Sequence, residues 1–349
     1  MTRHEEAHEE APPRKRSPRL PRARIAAIVA LAGLLIFGAC LRFGGGLKPS
    51  SRDAFYRLGS YWTEAGGKRF AEPYGIGVDP RNGHVLVTDA RNYRVVVFDA
   101  SGNYLRAFGE EGDGPAQFAL PSGVAVGPDG SIYVSDYLQD RVQKFTESGR
   151  FVLQWGGSGD GDTEFDSPIG LAADTRGRVY VADFYNKVIK VFSPQAEFLG
   201  RVGRPGQWRP AGLDYPTGVD VSIDGRVLVA DAYNYRVQLF DPDWQPQAAW
   251  GWRVLWLWPR PAGGDQGFGE ATGVAFGHGT GLVHVADARN YRVSMLDARG
   301  GFVTDYTLSH RRSGPYSPMQ VAVSPDGTTL YATDIANDRV IVLTVEGLR

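Results

Sequence analysis

A ten-residue block, Asp89-Ala-Arg-Asn-Tyr-Arg-Val-Val-Val-Phe98, returns in close copies that begin at Asp136, Asp183, Asp231, Asp287 and Asp334. The steps between those aspartates are 47, 47, 48, 56 and 47 residues. A fixed period of this size belongs to architectures that stack one supersecondary unit many times, so one unit used six times constrains the fold more than any composition does. Within a unit the pattern is β-like. In the first, strand a is expected over Gly75 to Asp79, strand b over His84 to Thr88, strand c over Arg94 to Phe98 and strand d over Tyr104 to Phe108. Pairs such as Asn82-Gly83 and Ser101-Gly102 supply the positive φ that tight hairpins need, and no helical period competes.

The sixth unit ends at Arg339-Val-Ile-Val-Leu343 without a strand d, while Phe55 to Trp62 precedes the first strand a and resembles Tyr104 to Phe108. An N-terminal strand that completes the C-terminal blade would close the ring and protect a sheet edge.

The units resemble NHL repeats. The resemblance rests on the glycine-rich loops Gly109 to Phe118 and Gly156 to Phe165, on Pro-x-Gly openings at Pro73, Pro121, Pro168 and Pro216, and on the Asp-x-x-Asn-x-Arg-Val block. It covers about 55 to 345 and implies an all-β, six-bladed β-propeller over 55–349. Four positions depart from it: Ala271 replaces the opening proline, Gln320 the opening glycine, Gln139 the asparagine and Val188 the arginine. Local deviation is expected in those blades.

Ahead of the propeller, residues 1–24 are polar and basic, 25–41 form an uncharged apolar run, and 42–54 read as a flexible linker. Seventeen apolar residues behind a basic cluster suit a transmembrane signal-anchor helix whose cationic flank stays in the cytoplasm. The run closes on Ile36-Phe-Gly-Ala-Cys40, which resembles a lipobox, so Cys40 is a lipidation candidate and the second anchoring mode. Either way the propeller lies outside the cytoplasm, in the periplasm or at the cell surface. From residue 43 onward the chain carries 30 Lys/Arg against 35 Asp/Glu. Nucleic-acid binding is not expected of such an acidic domain, because phosphate neutralisation supplies most of that affinity.

The aspartates Asp89, Asp136, Asp183, Asp231, Asp287 and Asp334 recur too faithfully to form a catalytic ring. They are read as scaffold, each accepting from backbone N–H groups of its b-to-c turn, with the arginine opening strand c placed to pair with a carboxylate nearby or on the neighbouring blade, suited to a repeated inter-blade tie. Function is expected where the repeats differ. The loops after strand b, with Tyr74 beside an opening proline, give a ligand-binding face of Tyr74, Arg91, Tyr93, Tyr137, Tyr185, Tyr233, Tyr235, Arg289 and Tyr291. Several of these tyrosines are equally suited to packing between blades. The 56-residue step inserts Trp252, Trp256 and Trp258 after Trp250, as a docking loop for a bilayer or partner or as an elongated strand d.

No hydrolase elbow, zinc-binding His-Glu-x-x-His, phosphate loop or cysteine cluster occurs. His84, His278, His284 and His310 fall at different repeat phases, and Glu72 and Asp214 read as solvated loop charges. No cofactor and no metal are therefore expected. The function read is a membrane-tethered binding or scaffold module for a protein, peptide or envelope glycan. The resemblance also implies an alternative, a metal-dependent lyase or lactonase-like hydrolase in the propeller channel, and a third, RNA binding.

Overall fold

The structure, a computed structural model, describes residues 54–207, 209–255, 258–261, 267–308 and 317–348. The basic stretch, the apolar run, Cys40 and the linker up to residue 53 lie outside these residues, as do Trp256 and His310. Among the described residues no helix is long and apolar enough to cross a membrane.

Six four-stranded antiparallel sheets form the six blades. In blade 1 the strands run Pro73–Val78, Val85–Asp89, Arg94–Phe98 and Tyr104–Phe108, so strand a starts two residues earlier than expected and the aspartate is the last residue of strand b. Strands b and c are buried along their whole length in blades 2 to 5, because each blade is covered on both faces by its neighbours. That explains unbroken runs such as Val179-Tyr-Val-Ala-Asp183. The outer strand Phe151–Gly156 instead alternates between half-buried and exposed, since only one of its faces meets a neighbour.

The ring closes as the missing strand required. Phe55–Trp62 pairs antiparallel with Arg339–Glu346, from Phe55 opposite Glu346 to Trp62 opposite Val340. The closing strand also grips both flanking blades. Its Tyr56 hydroxyl lies 2.6 Å from His284 Nδ1 in blade 5, and its Trp62 ring stacks on Phe98 of blade 1 at 4.5 Å.

The repeated aspartates are structural, but their partners differ from the expected ones. They accept mainly from the loop that arrives from the preceding blade: Asp89 from Ala71 N–H at 2.8 Å, Asp183 from Asp166 N–H at 2.8 Å, Asp231 from Asp214 N–H at 2.7 Å. The repeat's asparagine donates to the same carboxylate, as Asn92 does to Asp89 at 2.8 Å. The arginine pairs within its own blade, as in Arg94–Asp89 at 2.8 Å and Arg236–Asp231 at 2.7 Å, and its far end donates to loop carbonyls such as Gly212 O at 2.6 Å. The reason is the loop's path: it folds back over the end of strands b and c and brings its amides to the carboxylate. Burial pushes the carboxyls of Asp136, Asp183, Asp231 and Asp287 upward, and these hydrogen bonds pull the other way.

Blade 3 lacks the arginine yet keeps the ion pair. Lys190, two residues after Val188 and so on the same face of strand c, places Nζ 2.8 Å from Asp183 with both side chains fully buried. The ammonium also donates to Gly161 O at 2.7 Å. Gln139 likewise replaces its asparagine by reaching Gly112 O directly at 2.7 Å.

Candidate functional site

The b-to-c turns and the loops leading into strand a share one face, joined by backbone bonds such as Arg91 N–H to Ala71 O at 3.0 Å and Tyr185 N–H to Asp166 O at 3.1 Å. On this face the molecule gathers an aromatic cluster from blades 3 and 4. Phe184 lies 4.9 Å from both Tyr185 and Tyr215, and Tyr215 lies 4.7 Å from Tyr233. Lys187 Nζ sits 4.1 Å over the Tyr215 ring and 2.8 Å from Asp214. Tyr185 is 48% exposed and Tyr233 39%, which leaves a ring platform open to solvent with its inner edges fixed.

The cluster continues around the mouth. Tyr137 lies beside Tyr185 and Ser167, and Tyr74 lies within electrostatic reach of Tyr137, Glu270 and Glu72. Burial, followed by those neighbours, raises the Tyr74 phenol, and burial raises that of Tyr137, so both stay protonated donors at neutral pH. Two ion pairs flank the arc: Arg91–Glu72 at 2.9 Å in blade 1 and Arg289–Glu270 at 2.7 Å in blade 5.

The remaining predicted tyrosines occupy a different kind of position. Tyr93, Tyr235 and Tyr291 are half-buried and end their 3-10 turns in the left-handed region, at φ of 56°, 55° and 51°. The same slot holds Asp140, Lys187 and Asp338 in the other blades, also at positive φ. The polar side chains in this slot reach the next blade's loop: Asp140 accepts from Ser167 N–H at 2.7 Å, Asp338 from Glu72 N–H at 2.9 Å, and Lys187 pairs with Asp214 at 2.8 Å. Inter-blade ties thus come from this slot rather than from the arginine. Hydroxyls on strand b supply others, as with Ser135 to Ile169 O at 2.6 Å and Thr333 to Tyr74 O at 2.7 Å.

One expectation about charge is overturned. Asp214 is buried, pairing with Lys187 at 2.8 Å and accepting from Gln207 at 2.7 Å. Glu72, 44% exposed at the side chain and paired with Arg91, is a solvated loop charge as expected. His278 and His284 are also close enough to interact despite their different repeat phases. Lys187 escaped the sequence reading, although its place in the positive-φ slot of an otherwise tyrosine-rich loop was the available signal.

Below the mouth the strands a pack almost in contact. A Cβ on Gly75 would lie 2.1 Å from Ser122 O, and one on Gly123 would lie 2.1 Å from Ile169 O. Gln320 stands where a sixth glycine would be, and its Nε2 reaches across to Thr217 O and Thr272 O of blades 4 and 5, each at 3.1 Å. Beyond it, a cavity of about 120 Å³ is lined by residues of all six strands a and holds one carboxylate, Asp220, near His278. Asp220 accepts from Phe276 N–H at 2.7 Å, and burial raises its carboxyl. Among the described residues no group of three or more His, Cys, Asp or Glu is placed to hold a metal ion.

The tryptophan insertion is not an extension of strand d. That strand, Pro246–Trp250, ends at Trp250, and Trp252–Leu255 pairs with Trp258–Pro261 as a separate two-stranded hairpin.

Comparison with known proteins agrees with this architecture. Residues 77–142 match a family described as 6-bladed beta-propeller, and residues 165–192 and 213–240 match the NHL repeat. The chain folds as a six-bladed β-propeller and carries NHL repeats at 165–192 and 213–240. Over 58 residues it is 38% identical to Protein brain tumor of Drosophila melanogaster, a stretch that is 17% of this chain and 6% of that protein. Over 64 residues it is 38% identical to peptidyl-glycine alpha-amidating monooxygenase of Mus musculus, again 17% of this chain and 6% of the relative. The matches thus span a small part of these curated relatives. A streptogramin B lyase structure superposes with a TM-score of 0.53 over 84% of this chain and 98% of that one, at 12% identity, a likeness of fold alone.

Proposed function

We propose that this propeller is a non-enzymatic binding module, tethered outside the cytoplasm by residues 25–41, that takes a protein, peptide or envelope glycan at the mouth of its channel. The aromatic cluster of Phe184, Tyr185, Tyr215 and Tyr233 carries the reading. Two tyrosines held open to solvent, with their inner edges packed on other rings, present a large contact area that is already ordered, so little side-chain entropy is lost on binding. The ion pairs Arg91–Glu72 and Arg289–Glu270 add polar groups at defined places on the rim. Arg91 and Arg289 remain 55% and 48% exposed at the side chain, available to a ligand while held by their carboxylates. The tether rests on the basic cluster and apolar run of the sequence.

The test is in-cell crosslinking with the full chain, comparing wild type with a Tyr185→Ala, Tyr233→Ala variant. Loss of the principal partner is expected. Recovery of the same partners at the same yield would remove the mouth as the site.

A further inference from the structure

The wedge between blades 4 and 5 holds a cavity of about 550 Å³, and its origin can be read position by position. Strand c ends in Phe98, Phe145, Phe192 and Phe240 in blades 1 to 4. In three of the wedges that ring packs on the aromatic at the end of the preceding strand d: Trp62 on Phe98 at 4.5 Å, Phe108 on Phe145 at 4.9 Å, Trp155 on Phe192 at 5.7 Å. Blade 5 has Leu296 instead, and Trp250 packs against the apolar cluster that includes Leu296 and Phe268. Two residues earlier, blades 2 to 4 carry Gln143, Lys190 and Gln238, whose long side chains cross the wedge to loop carbonyls. Blade 5 has Ser294 there, completely buried, and among the described residues its Oγ has no hydrogen-bond partner. A buried hydroxyl without a partner is costly and uncommon in a folded chain.

The lining therefore combines aromatic walls (Trp250, Phe268, Phe302), the apolar Leu296 and one unmatched hydroxyl. The volume is that of an ordinary small-molecule site. Arg292 also borders it, but its guanidinium is engaged by Asp287 at 3.0 Å, Asp305 at 2.9 Å and Gly267 O at 2.8 Å, so the pocket does not call for an anion. We propose that this wedge is a second binding site, for a neutral planar aromatic molecule bearing a hydroxyl or amide. Its ring takes the place of the phenylalanine that position 296 lacks, and its polar group meets Ser294 Oγ. The site is separate from the mouth and does not depend on the reading given to it.

The test uses the full chain and 2-naphthol as probe, followed by saturation-transfer NMR and calorimetry, with cyclohexanol as the non-aromatic control. Wild type should bind 2-naphthol saturably and in preference to cyclohexanol. Ser294→Gln with Leu296→Phe, which restores the residues of blades 2 and 4, should abolish that binding while melting at or above the wild-type temperature. Ser294→Ala should keep the ring site and weaken binding about 2- to 10-fold, the worth of one neutral hydrogen bond. Absence of saturable binding to wild type overturns the proposal, including the case in which binding appears only after residues 252–266 are deleted. So does equal affinity in wild type and the Gln/Phe variant, and if that variant fails to fold, unchanged affinity in Ser294→Ala overturns the assignment of the polar group.

Discussion

The wedge between blades 2 and 3 and the wedge between blades 4 and 5 are cut from one template, and only the first is filled. In the first, Trp155 packs on Phe192, Phe165 completes the ring cluster, and Lys190 spans the gap to Asp183 and the loop. In the second, the equivalent places hold Trp250, Leu296, Phe268 and Ser294. The frame residues barely differ: Asp287 pairs with Arg292 at 3.0 Å, as Asp231 pairs with Arg236 at 2.7 Å. Blade 5 can therefore empty its wedge without losing the blade, because there the frame cation Arg292 and the wedge positions 294 and 296 are different residues of strand c, whereas in blade 3 Lys190 serves both.

That contrast can be tested most forcefully in blade 3. Lys190→Met leaves Asp183 buried without its cation and is expected to cost roughly 3–5 kcal/mol in denaturant unfolding. Adding Val188→Arg recreates the arrangement of blade 4 and should recover part of the loss. No recovery would mean that strand c does not treat the two positions as equivalent.

The wedge between blades 5 and 6 is expected to respond to pH. Burial, then the neighbouring His278, lowers the His284 pKa from 6.5 to about 3, so the imidazole is neutral in the folded ring. The unfolded chain takes up the proton that the folded one refuses. The contribution is thus complete above the unfolded value and is lost as pH falls from about 6.5 toward 3. Unfolding free energy should drop by roughly 2 kcal/mol between neutral pH and about pH 4.5 on this account. His284→Leu, the residue of blades 1 and 4 at this place, should flatten that slope; an unchanged slope assigns the acid sensitivity elsewhere.

A smaller effect is expected from filling the empty wedge. Ser294→Gln with Leu296→Phe should raise stability by about 0.5–2 kcal/mol, as cavity-filling changes do. Smallest of all is Tyr185→Ala, which removes an exposed ring of the mouth and should stay within about 0.5 kcal/mol of wild type while ligand capture falls.

The six units, the closing strand Phe55–Trp62 and the loop face were legible because each is a local, periodic signal. The partners of the frame were less so. A carboxylate at the end of strand b can meet either the turn that follows or the loop that returns from the preceding blade, and only the loop's course selects the second. Val188 looked like a lost arginine, yet a lysine inside the apolar run Val188-Ile-Lys190-Val-Phe192 marked where the charge had moved, by the two-residue period of a strand. Tyr235 and Lys187 share one backbone slot at positive φ, and the sequence did not mark it, because the slot is set by the left-handed end of the turn; from it Lys187 reaches Asp214 at the entry to the next blade.

The sequence by itself determined how many blades there are, where each begins and how the ring is fastened, since repeating short-range patterns dictate strands and turns. Only the tertiary structure decided which exceptions act together. Phe184 and Tyr233 are far apart along the chain yet belong to one platform, Gln320 crosses the channel to blades 4 and 5, and Ser294 and Leu296 leave their space against Trp250. The physical reason is geometric: a closed ring turns separation along the chain into adjacency across a wedge or a channel, and that adjacency is absent from any single repeat.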